Sequence, residues 1–207
     1  MRPLFIALGL ATLWIAVASP VAHLHHYMLT AHMVQHLLLM VLAAPLIMLG
    51  ARPLLARWHP HAVLCWLAGS ATVIFWHVPS IFELAMSSHF WYEIQHASFF
   101  VAGILFWWPV IQPDSGATRG WSIPLYLFSA TLPCDALSAF LAFCGHVVYR
   151  HYLYGSGRFG LSPLEDQALA GSLMWVTVTF AYLIPALNVA LQLLSGERKH
   201  AHEVEVF

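Results

Sequence analysis

Charge is what this sequence has least of. Asp, Glu, Lys and Arg make up 8% of its 207 residues, against roughly 25% in soluble globular domains, which excludes a water-soluble fold. Eight Lys and Arg against nine Asp and Glu leave a formal net charge of -1. No basic stripe is present to track a phosphate backbone, so nucleic acid is excluded as a partner. Cysteine is also scarce. Cys65, Cys134 and Cys144 sit inside apolar runs without CxxC spacing, which argues against a disulfide framework and a thiolate metal motif and reads as small buried hydrophobes. No phosphate loop, activated nucleophile or substrate pocket is legible, so catalysis is not the first expectation.

What is abundant is apolar surface, with 60% hydrophobic residues and a mean hydropathy of +0.74. In lipid only helices and closed barrels satisfy every backbone polar group, and these runs lack barrel alternation. The expectation is an all-α polytopic bundle forming one integral membrane domain over residues 1–207. Taking about 20 residues per crossing, six spans are expected at 3–22, 30–49, 62–82, 91–112, 121–148 and 167–194. Arg2, a short apolar run and Ala16-Val17-Ala18 resemble a cleavable signal, but Pro20 and the continuity of the run favour a retained helix. Orientation follows from Lys and Arg. With both termini inside, Arg2, Arg52, Arg57, Arg119, Arg198 and Lys199 fall on the inner face, and only Arg150 and Arg158 on the outer one.

On that frame most of the fourteen histidines lie on the outer side. His23, His25, His26, His32 and His36 fall in the first outer loop and the outer half of the second span. His77, His89 and His96 flank the second outer loop, and His146 and His151 the third. His59 and His61 read as solvated inner-loop residues, and His200 and His202 belong to a polar tail.

The sharpest local feature is His32-Met33-Val34-Gln35-His36. At about 100° per residue, His32 and His36 share a helix face with Cβ atoms about 5–6 Å apart, and Gln35 flanks His32. Met28 and Met40 extend the stripe one turn each way. Two imidazoles with thioethers nearby suit copper, zinc or haem iron. The competing reading is that the histidines hydrogen-bond across helices as packing glue while Met fills gaps; an i, i+4 pair in lipid is costly enough to favour a functional role.

Other spans supply partners at similar depth. His77 precedes Pro79, which should end or bend its helix, and Glu93 and His96 stand at i, i+3, a spacing used by bundle metal sites. Ser162 and Glu165 have capping-box spacing around Pro163, which explains Glu165 but not Asp166 or Gln167; Asp166 is a candidate to orient a ligating imidazole. Asp135, in the fifth span, calls for a protonated state or a polar partner on a neighbouring helix. Trp91, Tyr92, Trp107, Trp108, Trp121 and Tyr149 read as interfacial belts.

His32-Met33-Val34-Gln35-His36-Leu37-Leu38-Leu39-Met40, Ala44-Pro45-Leu46, Trp76-His77-x-Pro79, Phe106-Trp107-Trp108-Pro109 and Asp166-Gln167-x-Leu169-Ala170-Gly171-x-x-Met174-Trp175 resemble the CtaG family of cytochrome c oxidase assembly factors, the polytopic type associated with caa-type oxidases. The resemblance runs from about residue 23 to 190. Arg52 departs from it by separating Gly50-Ala51 from Pro53, and many members have seven spans. The resemblance implies a bacterial plasma-membrane protein that matures a haem-copper oxidase, handling copper for its metal centres with an oxidase subunit as partner. It points to His32, Gln35, His36, His77, His96, Asp166 and Gln167.

The combined expectation is an outer-facing copper site of His32, His36, His77 and His96. Gln35, Glu93, Asp166, Gln167, Met28 and Met40 stand behind it or serve as further ligands. Its rivals are a b-type haem protein with two of these histidines as axial ligands, a metal-dependent enzyme with Glu93 as base, and a cofactor-free scaffold.

Overall fold

The structure, a computed structural model, describes residues 2–55, 60–112 and 120–204, with the backbone alone at Val21 and 196–204. Arg57, His59 and Arg119 lie outside the described residues, as do the side chains of Arg198, Lys199, His200 and His202. Seven helices organise the described chain: α1 (Arg2–Ala18), α2 (Leu29–Leu55), α3 (Ala62–His77), α4 (Pro79–Ser87), α5 (His89–Ile111), α6 (Ser122–Phe143) and α7 (Pro163–Val204). Short 3-10 turns occupy Pro20–His26, Arg150–Tyr152 and Ser156–Phe159. No strand occurs among the described residues. The all-α expectation holds.

Four helices are long and apolar enough to cross a membrane: α2, α5, α6 and the Pro163–Ser195 part of α7. α3 and α4 pass the same test as a pair bent by 78°, and α1 is a shorter apolar helix of 17 residues. Each of the six expected spans therefore contains helix, with altered ends. The stretch 62–82 breaks after His77 because Val78, preceding Pro79, is pushed to extended backbone (φ -62, ψ 124). Pro79 then opens α4, where its missing N–H costs nothing. The stretch 121–148 stops at Phe143, and the residues beyond it are tied back by Gln167: its Oε1 accepts from the Val148 N–H at 2.7 Å and its Nε2 donates to the His146 carbonyl at 3.1 Å.

The bundle is closed by glycines where helices cross. A Cβ on Gly171 of α7 would meet Ala142 N at 2.7 Å and Ser138 O at 2.8 Å on α6, so this crossing requires glycine. Large apolar side chains such as Leu64, Ile74, Leu125, Leu132, Phe180 and Leu187 point outward, the pattern of a surface that meets lipid rather than water.

α2 carries a wide π-helical turn at Leu38–Ala43, directly after the histidine turn. Its cause is Pro45, which has no N–H and whose ring displaces the carbonyl four residues back. The Ala44 N–H bonds to the Leu39 carbonyl instead of that of Met40. Five residues beyond Met40 stands Pro45 itself, so the Met40 carbonyl loses its backbone donor, and the Trp107 indole N–H fills the place at 3.0 Å. Gly103, one turn earlier on α5, lets the helices touch there: a Cβ would lie 2.9 Å from both Met40 Cα and Met40 O. The register of the histidine turn against α5 is thereby fixed.

Candidate metal centre

α2 and α5 meet through three imidazoles. The rings of His32 and His36 are 4.3 Å apart between centroids, and His96 of α5 lies 5.7 Å from His32 and 5.3 Å from His36. One nitrogen of each lies within 4.8 Å of the others, and all three residues are buried. Ligands held at about 2.0–2.1 Å from one metal stand roughly 3.4 Å apart, so modest ring rotations would close the triad.

Hydrogen bonding sets the triad apart from ordinary packing. The His96 Nδ1–H donates to the Tyr92 carbonyl one turn back, at 2.9 Å; a carbonyl cannot donate, so in the neutral ring Nε2 carries the lone pair. That Nε2 and both ring nitrogens of His32 are buried without a hydrogen-bond partner, and His36 is met only by a loose approach of the Gln95 amide. An unsatisfied buried polar atom costs about 1–3 kcal/mol, so the cluster is expensive as a purely structural core. His36 is also held flat against Phe99, ring centroids 3.8 Å apart, and His32 stands edge-on to Phe82.

The remaining candidates fall into distinct places. His77 stands beside the triad, its ring 6.2 Å from that of His36, with Nδ1–H donating to the Val73 carbonyl at 2.6 Å and Nε2 3.4 Å from Met33 Sδ. Gln35 braces the triad from behind: its amide donates to the Ala16 carbonyl at 2.8 Å and accepts from Tyr92 OH at 3.0 Å. Asp166, fully buried, accepts from the N–H groups of Leu29 and Thr30 and from the Thr30 hydroxyl at 2.7–3.1 Å. Its carboxylate thus caps α2 across 137 residues of sequence and is spent on that helix start rather than on an imidazole. Gln167 closes the loop after α6. Glu93 is exposed and pairs with His89 at 3.6 Å, away from the triad. Met28 begins α2 on a shallow apolar groove with Leu24 and Ala31, and Met40 lines a small cavity beside His36. Asp135 meets the Thr179 hydroxyl at 3.4 Å, the partner its depth demanded, and Ser162 and Glu165 form the expected capping box.

Residues the sequence reading passed over also shape the site. Tyr92 lies against His96, and its hydroxyl is 3.1 Å from His25 Nδ1, which itself donates to the Ala22 carbonyl. Gln95 is fully buried, and its amide approaches His36 too loosely for a well-formed hydrogen bond. The repeated Gln-His pairs, Gln35-His36 and Gln95-His96, are the sequence signal that could have linked α2 with α5. Above the triad an open cavity of about 220 Å³ is lined by His23, His25, His26, His89, Glu93 and His151 among others. His25 stacks on Tyr92 and lies 6.3 Å from His32, between that cavity and the triad. Burial holds the His25 imidazole down at about 4, against an ordinary 6.5, the Ala22 hydrogen bond opposing only part of the effect.

Comparison with curated proteins and with solved structures finds no match. The family model of the cytochrome c oxidase caa3 assembly factors (Caa3_CtaG) matches residues 1–195. With nearly the whole chain matched and the helical membrane architecture in place, this protein belongs to the cytochrome c oxidase caa3 assembly factor family.

Proposed function

We propose that this assembly factor handles copper for its oxidase at the buried triad of His32, His36 and His96, and that the triad opens toward the outer face of a bacterial plasma membrane. The observation that carries the reading is the convergence of three buried imidazoles, one nitrogen of each within 4.8 Å of the others, with both nitrogens of His32 and Nε2 of His96 lacking a hydrogen-bond partner and His36 met only by the Gln95 amide. Histidines acting only as packing glue would spend those nitrogens on neighbouring helices. Imidazole without carboxylate suits copper and other late transition metals. Copper is the cargo: it enters, is held, and must leave for an oxidase subunit.

The cavity above the triad suits such traffic. Its histidines and Glu93 offer weak, exposed ligands, and His25 stands between them and His32. Glu93 then belongs to capture at the mouth rather than to the buried site. Asp166 and Gln35 act as positioning residues: one fixes the start of α2, the other ties α2 to α5 through Tyr92. A b-type haem would need a macrocycle between axial rings on facing helices, and the rings of His36 and His96 stand 5.3 Å apart between centroids, with a cavity of only about 30 Å³ beside His36.

The test is the copper-to-haem ratio of the oxidase purified from cells carrying the wild-type factor, His36→Gln or His96→Gln, with membrane levels of each factor matched. The expected result is a several-fold lower ratio with either variant, rescued in part by excess copper in the medium. An oxidase with its full copper complement would overturn the reading in favour of a scaffold.

A further inference from the structure

We propose that His77 and Met33 form a second site, for a soft monovalent cation, Cu(I), one step deeper than the triad. For its supply of metal this inference rests on the triad reading. The defining contact is His77 Nε2 to Met33 Sδ at 3.4 Å. It is not a hydrogen bond. The His77 Nδ1–H is committed to the Val73 carbonyl at 2.6 Å, so in the neutral ring Nε2 has only a lone pair to offer. A thioether sulfur has only lone pairs as well. Two donors of electron density face each other across a distance that one cation, bound at about 2.0 Å to nitrogen and about 2.3 Å to sulfur, would bridge at a near-tetrahedral angle.

The surroundings select the ion. The pair borders a small cavity of about 30 Å³, whose wall includes His36, Met40, Cys134 and Met174 and no Asp, Glu, Lys or Arg. Imidazole with thioether is a soft, neutral donor set, which favours Cu(I) over Zn(II) or Cu(II). Desolvation acts in the same direction. The cost of burying an ion scales with the square of its charge, so a divalent ion without anionic ligands pays about four times that of a monovalent one. Met33 and His77 are 1% and 5% exposed, which places the ion out of water and out of reach of aqueous oxidants.

His36 joins the two sites. It belongs to the triad and also lines the inner cavity. Movement between them is a ligand exchange past His36: the bonds to the triad nitrogens break as those to His77 and Met33 form. Copper stays Cu(I) throughout, so no electron or proton moves. Thioether ligation would favour the reduced ion for as long as it is held.

Silver(I), which has the charge and softness of Cu(I) but no redox chemistry here, provides the test on the full chain in detergent and chloride-free buffer. Wild type is expected to bind two equivalents, with sulfur in the silver X-ray absorption spectrum. Met33→Leu should lose one equivalent and the sulfur shell; His32→Gln/His96→Gln should lose the other and keep the sulfur. In the unmutated protein the Met33 ε-methyl resonance should shift as silver is added, a readout that needs no variant to fold. An unshifted Met33 methyl, or a wild type binding a single nitrogen-only equivalent that survives Met33→Leu, overturns the inner site and leaves the triad standing. A single sulfur-containing equivalent unaffected by His32→Gln/His96→Gln supports the inner site and removes the triad.

Discussion

His25 is the residue at which pH should act first. Its imidazole titrates at about 4 in the folded protein and near 6.5 when released. Between those values the unfolded chain binds more protons than the folded one, so stability falls as pH falls through this window and levels off below about 4. Thermal unfolding in detergent should therefore show a midpoint that drops between about pH 7 and 5 in wild type and drops less in His25→Gln. Asp166 is the residue whose loss should be felt furthest away. Asp166→Ala strands the Leu29 and Thr30 N–H groups at the start of α2, at a cost of about 1–3 kcal/mol. The same change should weaken copper binding although Asp166 is no ligand; equilibrium dialysis beside a melting curve checks both.

At the scale of the helix, the proposed metal site depends on a defect. The π turn at Leu38–Ala43 exists because Pro45 breaks the α2 ladder, and Trp107 and Gly103 of α5 are shaped to receive it. Trp107→Phe leaves the Met40 carbonyl buried without a donor and should cost about 1–3 kcal/mol. Gly103→Ala forces a methyl group against Met40 backbone and should separate α5 from α2, so it is expected to lose metal binding more completely than stability alone would require. If Gly103→Ala binds copper as wild type does, the triad is not set by this crossing.

These elements also mark how far the sequence could be read. Apolar runs of about 20 residues and the i, i+4 spacing of His32 and His36 follow from helical geometry alone, so the all-α architecture and two of the triad's three members were legible, with His96 named beside His77 as a partner. The choice of His96 over His77 as the third member depends on the π turn, which shifts register through the pairing of Pro45 with Trp107, and no local pattern announces that pairing. Asp166 was legible as a buried functional acid, but its partner is the first turn of a helix 137 residues away. Met33 carried no signal of its own, because a methionine beside a histidine in an apolar helix is common, and only the approach of α3 makes it a neighbour of His77.

For the whole molecule, the arrangement is a bundle with an apolar exposed surface and its histidine chemistry gathered toward one end: an open histidine-lined cavity, a buried triad beside it and the His77–Met33 pair beyond. That gradient, from exposed and hard to buried and soft, suits a factor that takes up a metal and surrenders it during oxidase assembly. Its central claim is that His32, His36 and His96 hold copper. The most direct test is elemental analysis with an absorption spectrum on detergent-purified protein prepared without a histidine tag, wild type beside His32→Ala/His36→Ala. Near-stoichiometric copper with no Soret band in wild type, lost in the double variant, is the predicted result; a Soret band, or copper retained when both histidines are gone, would contradict it.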